Sequence, residues 1–228
     1  MNWFESKYLY LSLLLFTIIY PFAQSFEWRL KLYSKWRAIF KGIAVMSIVF
    51  IPWDVWFTKQ GVWWFREDYI SGFLLLELPI EEWLFFLFVP YACVFIYEVL
   101  NFFVKRDILK NIATPFFFIA GIILLSVSVF YRYKLYTGIT FSLSGLGCLY
   151  MAWRKPIWSG RFLLAYLASL LPFLIINGAL TGNFTKNPVV NYNEAEIIGF
   201  RITTIPIEDS VYNLLMLLIV ITVYERSK

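Results

Sequence analysis

Two acidic pairs, Glu81-Glu82 and Glu208-Asp209, each follow a Pro-Ile dipeptide inside an otherwise apolar stretch. Adjacent carboxyl groups in apolar surroundings cannot both ionise easily, so one member can hold a proton while its neighbour accepts one. That is the equipment for general acid–base work on a neutral substrate, with no change of redox state. Shifting the chain against itself by 127 residues aligns Gly72-Phe73, Pro79-Ile80-Glu81-Glu82 and Tyr97-Glu98 with Gly199-Phe200, Pro206-Ile207-Glu208-Asp209 and Tyr224-Glu225. The ungapped pattern is G-F-x5-P-I-E-[ED]-x14-Y-E. Apolar identities would mean little in such a chain, but matched acids and prolines do not arise readily by accident.

A single Pro-x-Glu helix start would read as a solvated cap. Two copies flanked by apolar residues read differently, because ionisable groups at membrane depth are expensive and mark functional sites. Pro79 and Pro206 suit the first turn of a helix, where the dipole and the free N–H groups favour the acids that follow. Tyr97-Glu98 and Tyr224-Glu225 close their helices at the opposite face and read as interfacial anchors. Asp54, Asn177 and Arg201 are further polar candidates near the acid pairs, with Arg201 placed to neutralise or orient one of the carboxylates. For Asp54 and Asn177 a simple helix-end role competes with a catalytic one. Trp83, Phe85, Phe86, Tyr91 and Tyr212 could steady a cation through their ring faces, against the alternative that they are lipid-facing or packing bulk.

The elements that must position these groups are membrane helices. Of 228 residues, 61% are hydrophobic, 21% aromatic and only 15% charged, against about 25% charged in a soluble domain. Seven apolar stretches approach the length needed to cross a roughly 30 Å hydrocarbon core: Tyr8–Phe22, Ile39–Trp53, Pro79–Leu100, Pro115–Phe130, Leu135–Trp153, Phe162–Leu180 and Pro206–Tyr224. The expected fold is all-α and polytopic, with an internal parallel repeat divided as residues 1–112 and 113–228. The first run, preceded by Glu5 and Lys7 and followed by no small-residue cleavage site, reads as an uncleaved span. Trp56 to Leu78 reads as an interfacial or re-entrant segment. One set of connections holds 13 Lys and Arg, the other 7. The richer side is expected to be cytoplasmic, with the N-terminus outside and the C-terminus inside a bacterial-type plasma membrane. With three helices between the copies, both acidic pairs fall at the outer face. The basic excess of +5 needs no nucleic acid to explain it.

Cys93 and Cys148 read as buried small hydrophobes. The chain has no histidine, which excludes His-ligated haem, His-built iron sites, zincin-type metal sites and imidazole triads. No G-x-G-x-x-G follows a strand, so no dinucleotide cofactor is indicated, and no metal or other cofactor is expected. The seventh span lacks the lysine that a retinal Schiff base needs. No Asp-rich cluster for a prenyl diphosphate is present.

Leu78-Pro79-Ile80-Glu81-Glu82 running into Phe85-Phe86 and Val89-Pro90-Tyr91 resembles the integral-membrane lycopene cyclase domain. So does the stretch from Asn177-Gly178 through Pro206-Ile207-Glu208-Asp209 to Tyr224-Glu225. The match covers nearly the whole chain and is similar to the fused form, in which two such domains share one polypeptide. The resemblance implies an isomerase-type enzyme of carotenoid biosynthesis that converts the acyclic ψ end of lycopene to a β-ionone ring. It implies Glu81, Glu82, Glu208 and Asp209 as the catalytic set, and a lipophilic carotenoid, the bilayer and other carotenoid-biosynthesis enzymes as partners. A carotenoid hydratase would share the protonation step. A small proton-coupled transporter is the rival from another class.

Overall fold

The computed structural model describes residues 6–228, so Glu5 lies outside it. Its helices are α1 (Leu9–Gln24), α2 (Trp36–Lys59), α3 (Ile80–Phe103), α4 (Lys110–Phe130), α5 (Leu135–Arg154), α6 (Ser159–Leu180) and α7 (Ile207–Glu225). Six of them are long and apolar enough to cross a bilayer. The exception is α1, whose 16 residues rise about 24 Å, short of a full crossing. It is held by packing along α3. The protein is a helical membrane protein.

The second span outruns its apolar run at both ends, because Trp36, Arg37, Trp56 and Lys59 can bury their stems while their polar tips reach the interface. The segment after it is built from short strands. β1 (Trp63–Phe65) pairs antiparallel with β4 (Val190–Tyr192), while β2 (Leu74–Leu75) with β3 (Leu78–Pro79), and β5 (Arg201–Ile202) with β6 (Ile205–Pro206), form two-residue hairpins. The hairpins account for the Gly-Phe and Pro-Ile elements of the repeat. Gly72 and Gly199 take φ +90° and +88°, a region open to glycine and costly to other residues. Phe73 and Phe200 offer their carbonyls to the N–H of Ile80 and Ile207 at 2.9 and 3.0 Å, which satisfies an otherwise orphaned donor at each helix start. Pro79 and Pro206 are the extended residue before the helix, one position earlier than the sequence suggested.

The two halves meet about a pseudo-twofold axis, visible in reciprocal contacts. In the β1–β4 ribbon, Trp64 faces Asn191, its own counterpart 127 residues on. Arg66 N–H bonds Val189 O at 2.9 Å as Asn193 N–H bonds Val62 O at 2.8 Å. At the other end of the bundle, Tyr97 OH donates to Glu225 at 2.6 Å while Tyr224 OH donates to Glu98 at 2.7 Å. α2 packs on α7 as α6 packs on α3, and α1 on α3 as α5 on α7. An odd number of helices per unit would leave the second unit inverted, so α4 returns the chain and makes the units parallel. It lies against α5 and α6, with Phe118, Ile119 and Ile123 exposed toward lipid.

Candidate active site

Each acidic pair occupies the first turn of its helix. Consecutive helical residues point about 100° apart, so the two members of a pair cannot share one direction. The first members face the hairpins. Glu81 accepts the Ser71 N–H at 2.7 Å and Glu208 accepts the Ile198 N–H at 2.7 Å, again 127 residues apart. Thr137 adds a hydroxyl donor to Glu208 at 2.6 Å. Both carboxylates are fully buried, and the second oxygen of each has no partner among the described residues. They fasten the hairpin to the helix it precedes.

The second members, Glu82 and Asp209, line one small cavity of about 70 Å³ between the halves. Asp54, Asn177, Phe85, Tyr212 and Asn213 share its wall. Tyr10 donates to Glu82 at 2.5 Å. Asp209 receives three donors: Tyr136 OH at 2.7 Å, Asn177 Nδ2 at 2.7 Å and Tyr192 OH at 2.8 Å. Tyr192 stands on β4, and burial beside the Asp209 carboxylate holds its phenol well above the usual value, so it stays a donor.

The halves are alike in scaffold and unlike in chemistry. Val62 N–H bonds Phe57 O at 3.0 Å and Val189 N–H bonds Leu180 O at 2.8 Å. Phe57 and Leu180 are therefore counterparts, and so are Asp54 and Asn177, three residues before each. One half sets an amide donor beside its acid; the other sets a second acid beside Glu82. Asp54 is 2% exposed and its Oδ2 meets no donor among the described residues.

The structure brings together Glu82, Asp209, Asp54, Asn177, Phe85 and Tyr212 from the sequence-derived set. It places others elsewhere. Arg201 does not line the cavity: its guanidinium bonds Thr204 O at 2.7 Å and Glu194 at 2.6 Å, because the hairpin directs it along its own loop. Trp83 donates its indole N–H to Leu75 O at 3.2 Å on the hairpin. Phe86 is buried against Phe50, with ring centroids 6.3 Å apart. Tyr91 bonds Ser25 at 2.5 Å and Trp36 at 2.8 Å, toward the far end of α1. Glu98 is more than an interfacial anchor. It is buried, takes the Tyr224 hydroxyl and an ion pair from Lys35, and ties the halves together.

Sequence reasoning missed Tyr10, Tyr136 and Tyr192. Leu9-Tyr10 and Leu135-Tyr136 match at a shift of 126, so a gap of one residue hid them from the 127-residue alignment. Aromatic rings line the cavity and pack behind it. Tyr212 lies 4.8 Å from Phe50 and 5.2 Å from Trp53 between ring centroids, and Tyr136 stacks on Tyr192 at 6.0 Å.

The lycopene cyclase family model matches residues 7–100 and 133–227. Each matched segment carries one acidic hairpin–helix unit, and α4 lies outside both. Nothing among curated proteins or solved structures matches the chain. With the family model covering most of its length in two copies, and with those copies contributing the two acids of one cavity, the chain belongs to the lycopene cyclase family.

Proposed function

We propose that the protein closes the acyclic ψ end of lycopene into a β-ionone ring, with Glu82 as the proton donor and Asp209 as the proton acceptor. The observation that carries this reading is the unequal surroundings of the two acids in one cavity. Three donors suit an ionised carboxylate, which only accepts hydrogen bonds. Glu82 has one donor and an acidic neighbour, and two acids side by side are stabilised by sharing a proton.

The reaction is an isomerisation, with no atom lost or gained overall. Glu82 gives its proton to the terminal double bond, leaving a tertiary carbocation. The electrons of the second double bond attack that centre and form the ring bond, moving the positive charge into the ring. Asp209 removes a ring proton and the new double bond forms. Passage of that proton across the shared cavity to Glu82 restores the starting state. Phe85 and Tyr212 offer ring faces to the cation. Asp54 keeps the first half supplied with a proton. Glu81 and Glu208 are positioning residues in this scheme. The acid end faces the non-cytoplasmic side, a reading supported by the basic residues Lys35 and Lys228 gathered at the opposite end.

Expression in a lycopene-accumulating bacterial host tests the proposal through pigment analysis. Cyclised carotene is expected without added nucleotide or metal. Lycopene alone, or only a hydroxylated acyclic product, despite verified protein in the membrane, refutes it.

A further inference from the structure

The acid cavity does not end at the acids. It opens into a larger apolar groove of about 410 Å³ between α1, α3 and α6, and the two share Phe85, Val89, Phe173, Asn177, Leu180 and Asn213 on their walls. The groove in turn meets a third hollow of about 250 Å³ at the far end, through Tyr20 and Phe95. On α3 the wall includes Glu82, Phe85, Val89, Ala92 and Ile96, then Val99 and Phe103, a stripe at helical spacing with Cys93, Phe95 and Phe102 at its edge. From Glu82 to Phe103 that stripe rises about 30 Å, the thickness of a bilayer's hydrocarbon core.

Asn177 and Asn213 stand at the groove's acid end, and farther along its hydroxyls turn inward to their own helices. Thr17 Oγ1 donates to Leu13 O at 2.9 Å and Ser169 Oγ to Tyr166 O at 2.7 Å, so the wall offers hydrocarbon to its occupant. Polar groups return at the far hollow, where Gln24 sits beside the Glu27–Arg29 pair. The pseudo-equivalent seam between α2 and α7 is tight. A Cβ on Gly42 would fall 2.7 Å from Val220 O, so the backbones there approach too closely to admit a ligand.

Building on the cyclase reading, we infer that the α1–α3–α6 groove is the bed of the substrate's polyene, which lies across the membrane with one acyclic end at Glu82 and Asp209 and the other by Gln24, Glu27 and Arg29. The site selects a long, linear, apolar molecule, and it presents one end to the acids at a time.

Ala92 stands ten residues beyond Glu82, about 15 Å along the helix, too far to touch the reacting end. Ala92→Phe narrows the groove there, and Cys93→Phe does so one residue on. Two substrates are compared in membranes holding each variant: full-length lycopene, and a truncated polyene with the same acyclic end that stops before Ala92. The ratio of full-length to truncated conversion is expected to fall about tenfold or more in whichever variant accumulates. Equal loss for both substrates, or no loss for either, overturns the inference. If neither the wild type nor any variant cyclises anything, pigment retained by the purified protein decides. Lycopene held by the wild type and lost from Ala92→Phe keeps the groove while the cyclase reading falls. No pigment on the wild type overturns the groove as well.

Discussion

Replacing Glu82 and Glu81 in turn by glutamine separates chemistry from scaffold within one dipeptide. In Glu82→Gln the amide oxygen still accepts the Tyr10 hydroxyl that now reaches the carboxylate at 2.5 Å, so the fold loses little. The amide cannot deliver an acidic proton, and loss of a general acid slows a reaction by about 10² to 10⁴, or roughly 2.7–5.4 kcal/mol of barrier. In Glu81→Gln the amide oxygen keeps the Ser71 N–H bond of 2.7 Å, and the amide nitrogen occupies the place of an oxygen that has no partner. Cyclisation should then fall less than about tenfold. Glu81→Ala strands the Ser71 N–H, costing about 1–3 kcal/mol, which should appear as lower melting temperature in detergent and less protein in the membrane. The assay is carotene formed per unit of protein in membranes supplied with lycopene. Equal losses in Glu81→Gln and Glu82→Gln at equal protein levels, or full activity in Glu82→Gln, would refute the assignment of the second acid as donor.

The donors around Asp209 give a graded series: Tyr136→Phe, Tyr192→Phe and Asn177→Leu each remove one charge-assisted bond worth about 1.5–3 kcal/mol, so turnover should drop about 10- to 150-fold apiece, and unchanged turnover in all three would remove Asp209 as the base. At the far end, Tyr97→Phe combined with Tyr224→Phe cuts both cross-links to Glu225 and Glu98; the melting temperature should fall while carotene formed per folded protein stays within about twofold, about the effect of 0.4 kcal/mol. Reporter fusions after Lys155 should signal cytoplasm and fusions near Lys186 the outside, following the basic side of the chain; a cytoplasmic signal at Lys186 would invert the proposed topology.

Much of this arrangement was legible in the sequence because its constraints are chemical. Acids and prolines inside apolar runs are rare enough that a 127-residue shift revealed both hairpin–helix units, and low charge with long apolar runs fixed the membrane class. The orientation within each pair was harder to see. Glu81 and Glu82 differ by one residue, and what turns them apart is the hairpin before them, whose strands are two residues long and leave no alternation to read. One signal was nonetheless present. Alternating steps of three and four from Glu82 give Phe85, Val89, Ala92 and Ile96, which are part of the groove wall. Phe86, four residues after Glu82, and Tyr91 pack elsewhere, so spacing alone does not select the wall. Arg201 illustrates the opposite limit. Its nearness in sequence to Glu208 suggested a counter-ion, but a residue on a hairpin strand follows its loop, and the partner it finds is Glu194.

Duplication explains why two acids share a cavity but not why they differ. A perfectly twofold site would surround both acids alike and present two equivalent grooves, and neither carboxylate would be favoured to give or to take a proton. Two departures break that balance. Asp54 stands where its counterpart is Asn177, so one half pairs acid with acid while the other pairs acid with amide. Phe65 stands where its counterpart is Tyr192, so one half loses a hydroxyl donor that the other gives to Asp209. Both changes act in one direction, adding donors around Asp209 and withholding them from Glu82. The groove breaks the symmetry a third time, since the α2–α7 seam is closed at Gly42 while the α3–α6 seam stands open. Exchanging the departures therefore tests whether they set the roles. Asp54→Asn with Phe65→Tyr makes the first half resemble the second and gives Glu82 new donors. Each added charge-assisted bond would favour ionised Glu82 by about 1.5–3 kcal/mol, enough to reduce turnover at least tenfold while every original contact to Asp209 remains. Wild-type turnover in that double variant would mean that the proton's direction is set by something other than these donors.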